Sequence, residues 1–132
     1  MTDRAMRPQN VNAVRTLVVD DSPELLEIFC ALLAGHPEVE IVGTAANGVE
    51  ALQNWADLQP ELVLMDVTMP QMDGITATML LCEMPNPPRV ILMSSEDLRC
   101  TELGFSASGA EGFIFKPQFR EEFPVAFHAA LA

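Results

Sequence analysis

Four short apolar runs punctuate the chain, and each stops on a polar side chain. Leu17-Val18-Val19 precedes Asp20-Asp21, residues 62–65 (Leu-Val-Leu-Met) precede Asp66, residues 90–93 (Val-Ile-Leu-Met) precede Ser94, and Phe113-Ile114-Phe115 precedes Lys116. Runs of this length, rich in Val, Ile and Phe and without alternation, predict strands buried on both faces. Between them the period changes. Leu25, Ile28, Phe29, Leu32 and Leu33 recur at helical spacing. Ser22-Pro23 opens this helix as a cap residue and a first-turn proline, and Gly35 with Pro37 ends it. Residues 39–45 read as a further strand. Asn47-Gly48 then turns the chain into a helix face of Val49, Leu52 and Trp55, which ends near Leu58. A third helix runs from Gly74 to the Pro85-Asn86-Pro87-Pro88 cluster. A fourth, within 98–108, has the poorest pattern: it carries Gly104, Ser106 and Ser108, and an interior Gly costs about 1 kcal/mol relative to Ala. A fifth carries Phe119, Phe123 and Phe127 at i, i+4, i+8. Pro124 fits only in the first turn of such a helix, which predicts a late start and a short fifth helix.

Five strands alternating with five helices predict an α/β fold: a doubly wound, five-stranded parallel sheet with right-handed crossovers. All strand C-termini then share one edge. Ligands in such sheets sit beyond that edge, where the strand order reverses. If strands 1 and 3 flank that point, Asp20, Asp21 and Asp66 face one another across it.

The 132 residues suffice for one domain with a core, here 13–132. Residues 1–12 are polar, include Pro8 and lack an apolar segment, so they read as a flexible leader and not as a secretory signal. No apolar stretch approaches bilayer length. The balance of 7 Lys+Arg against 19 Asp+Glu, a net charge of −12, argues against direct nucleic-acid binding and against anionic membranes. Cys30, Cys82 and Cys100 are odd in number and widely spaced. They read as reduced thiols of a cytoplasmic protein.

Each strand-end acid alone could be a solvated turn residue. Three together are harder to dismiss, because two carboxylates ~4 Å apart repel by roughly 4 kcal/mol at an effective dielectric near 20. A cation must join them. An oxygen-only set with no nearby His suits Mg²⁺ and not zinc. Lys116 is the sole lysine of the chain. A lone lysine is usually a surface residue, but this one is held between a Phe-Ile-Phe run and Pro117, where an ammonium would neutralise phosphoryl charge. In that company the Ser94 hydroxyl is a donor to phosphoryl oxygen. His36 and His128 take no part, and the absence of a Gly-rich phosphate loop argues against direct use of ATP.

These residues resemble the receiver domain of two-component response regulators. The resemblance runs from about Ala13 to the end, and implies a flavodoxin-like sheet of order 2-1-3-4-5. It rests on Asp20-Asp21, on the segment Asp66-Val67-Thr68-Met69-Pro70-Gln71-Met72-Asp73-Gly74, on Ser94 and on Lys116-Pro117. It implies that Asp66 accepts a phosphoryl group from a phosphohistidine, on a sensor histidine kinase or a phosphotransfer protein. It implies Mg²⁺ held by Asp21 and Asp66, by Asp20 directly or through water, and by the Thr68 backbone carbonyl. Ser94 and Lys116 would hold the phosphoryl oxygens, and a cis Lys116–Pro117 bond is expected. The output would be a changed helix 4–strand 5–helix 5 face that selects a downstream protein, an output domain or a second copy. A receiver catalyses only its own phosphorylation and dephosphorylation.

The chain departs from the pattern in three places. Phe113 stands where the family often has a switch Tyr, and is either a packing-only switch or an ordinary edge-strand aromatic. Ser95 and Thr68 border the path of an attacking water and are expected to tune the acyl-phosphate lifetime. Residues 75–82 carry no charge, as a helix merely poor in charge or as a contact surface. A rival from another class is an aspartyl-phosphate phosphatase of the haloacid-dehalogenase type. That chemistry needs a second Asp two residues after the nucleophile, and position 68 is Thr. The chain also reads as a whole protein or as the receiver part of a longer regulator.

Overall fold

The computed structural model describes residues 12–100 and 106–132. The predicted leader lies outside them, apart from Asn12. The elements follow in the order β1 (Val14–Val19), α1 (Pro23–Leu33), β2 (Val39–Ala45), α2 (Gly48–Leu58), β3 (Leu62–Asp66), α3 (Gly74–Cys82), β4 (Arg89–Ser94), β5 (Gly112–Phe115) and α4 (Phe119–Leu131). The sheet order is β2-β1-β3-β4-β5 and every pairing is parallel. This is the expected doubly wound sheet, of flavodoxin-like order.

Alternation along the strands builds two cores. Val18, Leu62, Leu64, Ile91, Met93 and Ile114 point to one side, where Phe29 and Leu33 of α1 and Phe119, Phe123 and Phe127 of α4 cover them. Leu17, Val19, Val63, Met65, Val90 and Leu92 point to the other, under Ala51 of α2 and Ala77 and Leu81 of α3. The inner stretches of β1, β3 and β4 thus need apolar residues on both faces, which is why their runs do not alternate. Fully burying one such side chain stabilises by about 1.5–3 kcal/mol.

Side chains fix the helix starts. Ser22, Asn47 and Asp73 accept the N–H groups of Leu25, Glu50 and Thr76, satisfying donors that a first turn otherwise leaves unpaired. Met79 and Leu80 of α3 face solvent.

Three expectations need correction. The fourth helix is not formed in the described residues, which hold short 3₁₀ turns at Leu98–Cys100 and Ser106–Ser108; residues 101–105 lie outside them. After the second turn, Ser108 Oγ accepts the Ala110 N–H at 3.1 Å and Gly109 has φ +95°. The four α-helices described therefore stand against five expected.

The last helix, α4, is neither late nor short. It starts at Phe119, runs 13 residues and holds Pro124 inside. Phe119 and Phe123 stack at 5.5 Å, Phe123 and Phe127 lie 5.2 Å apart, and all three are buried. That packing offsets the roughly 3 kcal/mol an interior proline costs. Finally, the Lys116–Pro117 bond is trans, not cis. Pro117 lies at the start of a 3₁₀ turn, Lys116–Gln118, where its fixed φ suits the turn and its missing N–H costs nothing.

Candidate functional site

Parallel register brings the strand ends together. Val19 pairs with Met65, Asp66 with Met93, and Ser94 with Phe115. One residue past β1 stands Asp20, and one past β5 stands Lys116. The edge between β1 and β3, where the chain order reverses, therefore carries Asp20, Asp21 and Asp66. Each offers a carboxylate oxygen, and the three oxygens lie within 4.8 Å of one another.

The loop into α3 holds Asp66 in place. Val67 N–H donates to the Met93 carbonyl and Gly74 N–H to the Val67 carbonyl, both at 2.8 Å. The start of α3 lies so close to β3 that a Cβ at Gly74 would fall 2.0 Å from the Asp66 carbonyl oxygen. Only glycine permits that approach. Thr68 N–H reaches Asp66 Oδ1 at 3.4 Å.

Asp20 is fully buried and Asp66 nearly so, whereas Asp21 is exposed. Asp20 Oδ1 accepts the Ser22 N–H at 2.9 Å. Lys116 Nζ lies 2.7 Å from Asp20 Oδ2 and 2.9 Å from Asp66 Oδ1. Lys116 thus pairs at once with two buried carboxylates. Burial pushes the Asp66 carboxyl up to about 6; Lys116 and the Thr68 N–H oppose that and the neighbouring Asp20 adds to it. Burial also works against the Lys116 ammonium, but the two carboxylates outweigh it and hold its pKa above the ordinary value.

The donor set fits a hard dication. It is all oxygen, it carries three carboxylates against one ammonium, and oxygens of all three carboxylates lie within 4.8 Å of one another.

The other predicted residues stand around this group. Ser94 is buried at the adjacent strand end, where its Oγ accepts the Glu96 N–H at 3.1 Å; the hydroxyl proton is not used in that bond. Thr68 and Ser95 are exposed. Phe113 is buried, and the Arg99 guanidinium lies 5.4 Å from its ring centre. His36 and His128 lie elsewhere, against Phe123 and Phe127.

Sequence reasoning missed one set of contacts beside the site. Arg99 bonds both oxygens of Asp97 at 2.8 Å and Glu122 Oε2 at 3.0 Å. The second Glu122 oxygen accepts the Phe115 N–H at 2.9 Å. This ties the segment after Ser94, the strand end before Lys116 and α4 together. Its one sequence signal is Glu122 at Phe119 plus three, which alone says nothing about Arg99.

The model of the response regulator receiver domain matches residues 16–127. The chain belongs to that family. Among curated relatives of this receiver is a protein-glutamate methylesterase/protein-glutamine glutaminase of Nocardioides sp., 40% identical over 106 residues, or 79% of this chain and 29% of that protein. The receiver spans less than a third of the length of such relatives. The response regulator domain of Thermotoga maritima CheB superposes with a TM-score of 0.78 at 30% identity, covering 91% of this chain and 98% of that one. A Borrelia burgdorferi CheX–CheY–BeF3–Mg²⁺ complex gives 0.81 at 28% identity, covering 90% of each chain. The protein is thus a receiver of two-component signalling, a family whose general role is to accept phosphoryl groups. Among the described residues, no helix is long and apolar enough to cross a membrane.

Proposed function

We propose that Asp66 is the phosphoacceptor of this receiver and that Mg²⁺ is its cofactor. The observation that carries the reading is the buried Asp66 carboxylate, ion-paired to the only lysine of the chain, beside two further aspartates. A carboxylate is a competent nucleophile toward phosphorus. Transfer needs mainly in-line positioning and charge neutralisation.

Asp20, Asp21 and Asp66, with the Thr68 backbone carbonyl, would hold the ion. Bound there, Mg²⁺ neutralises phosphoryl charge and orients the transferred group. The residues of the chain do the rest. Lys116, already at the Asp66 carboxylate, keeps it charged and pairs with a phosphoryl oxygen once the acyl phosphate forms. Ser94 turns its hydroxyl proton toward the same group. The product adds about −1.5 to −2 charges, and Ser94 and Lys116 move toward it. Phe113, lacking a hydroxyl, follows Ser94 by packing alone. Thr68 and Ser95, both exposed beside the site, set how fast water reaches the acyl phosphate.

The donor is a phosphohistidine on a histidine kinase or phosphotransfer protein in the cytoplasm. The output is a partner protein or domain that reads the β5–α4 face and the segment before it. Thr68 in place of a second acid argues against a phosphatase acting on external esters. The test is incubation with Mg²⁺ and acetyl phosphate, followed by intact mass. Wild type gains one phosphoryl group and Asp66→Ala gains none. Equal labelling of both proteins would refute the assignment.

A further inference from the structure

A groove of about 230 Å³ lies between β5 and α4, away from the aspartates. Its apolar floor is Phe113, Val125 and Ala126, and its rim includes Glu111, Glu121 and Glu122. Val125 is 72% exposed, although it is a large apolar side chain on a packed helix. At one end sits the guanidinium of Arg99, 5.4 Å from the centre of the Phe113 ring and 3.0 Å from the Glu122 carboxylate. An aromatic face beside a carboxylate is a guanidinium site, and the chain fills it with its own arginine.

We infer that this groove binds a partner segment in which an arginine is flanked by apolar side chains, and that Arg99 occupies the arginine's place in the resting protein. The apolar flanks would cover Val125 and Ala126, and the arginine would take Phe113 and Glu122 in exchange for Arg99. Charge favours this occupant. Glutamates rim the groove, and the chain carries −12. A second copy of the chain would bring like charge to that rim. Arg99 is half-exposed and keeps Asp97 as a partner when displaced, so its departure leaves no buried charge unpaired. The inference rests on the reading of this face as the output surface and gives that surface a ligand chemistry.

The test uses two synthetic nine-residue peptides of alanine and leucine. One carries a central arginine and the other citrulline, its neutral isostere. Binding to the unphosphorylated protein is followed by amide chemical shifts. The arginine peptide should shift residues 111–113 and 121–126, and the citrulline peptide should bind far more weakly. Arg99→Ala should tighten the arginine peptide by about tenfold, the equilibrium worth of one exposed charge pair and one exposed cation–ring contact. Val125→Lys, which removes apolar floor and adds like charge to the peptide's, should abolish binding while leaving acetyl phosphate labelling intact. Because no phosphorylation is involved, failure here is separate from failure of the Asp66 assignment, which mass alone decides. Equal binding of the two peptides would overturn the inference. So would weaker or unchanged binding to Arg99→Ala with an unaltered melting curve, shifts confined to other surfaces, or a dimer that fills the groove and is lost in Val125→Lys.

Discussion

Replacing Asp66 with asparagine should stabilise the metal-free protein at neutral pH and have little effect in acid. The folded protein holds the Asp66 carboxyl at about 6, against an ordinary 3.8, chiefly because it is buried. Between those values the folded state binds a proton that the unfolded state has released, so stability falls as pH rises. At about 1.4 kcal/mol per pH unit, the difference comes to about 3 kcal/mol, fully developed above pH 7. Asparagine does not titrate and is spared this cost. Urea unfolding in EDTA at pH 4.5, 5.5, 6.5 and 7.5, followed by the fluorescence of the single Trp55, measures the gap. Asp66→Asn should exceed wild type by about 3 kcal/mol at pH 7.5 and by little at pH 4.5. Saturating Mg²⁺ favours the charged carboxylate and should close the gap at pH 7.5. A gap that is independent of pH, or that widens in acid, would refute the reasoning that burial leaves Asp66 a destabilised anion until a cation arrives.

Other changes probe the same site. Lys116→Met removes the counter-charge of two buried carboxylates and should cost about 3–5 kcal/mol in EDTA, with Mg²⁺ restoring most of it; urea titration with and without the ion checks both. Gly74→Ala places a Cβ 2.0 Å from the Asp66 carbonyl oxygen. It should lower stability by about 1–3 kcal/mol and slow acetyl phosphate labelling, as thermal melts and intact mass will report. Thr68→Ala and Ser95→Ala should change the decay rate of the phosphorylated protein without changing its melting temperature; decay followed by mass that is unaltered in both would remove them from the water path.

The strand ends were legible because a parallel sheet buried on both faces demands unbroken apolar runs, so the first polar residue marks the exit. Ser22-Pro23 was legible as a helix start because capping is local chemistry; Asn47, read only as part of a turn, caps α2 in the same way. Pro124 misled because its local cost is outweighed by the stack of Phe119, Phe123 and Phe127, a tertiary gain that no local rule contains. In 98–108 the described ends are 3₁₀ turns and not α-helix, in keeping with the poor helical pattern there. The Arg99–Glu122 contact stayed hidden because residues 23 apart meet only through the β5–α4 packing. The role of Gly74 could be guessed from its segment, but the closeness of α3 to the Asp66 carbonyl is a fact of three dimensions.

The central claim is that Asp66 is the residue that takes the phosphoryl group. It is tested most directly by labelling with Mg²⁺ and acetyl phosphate, reducing the acyl phosphate with borohydride to homoserine, and mapping the peptides by mass. The account predicts homoserine at position 66 and at neither 20 nor 21. Homoserine at Asp20 or Asp21, or none at all in a protein shown to bind Mg²⁺, would contradict it.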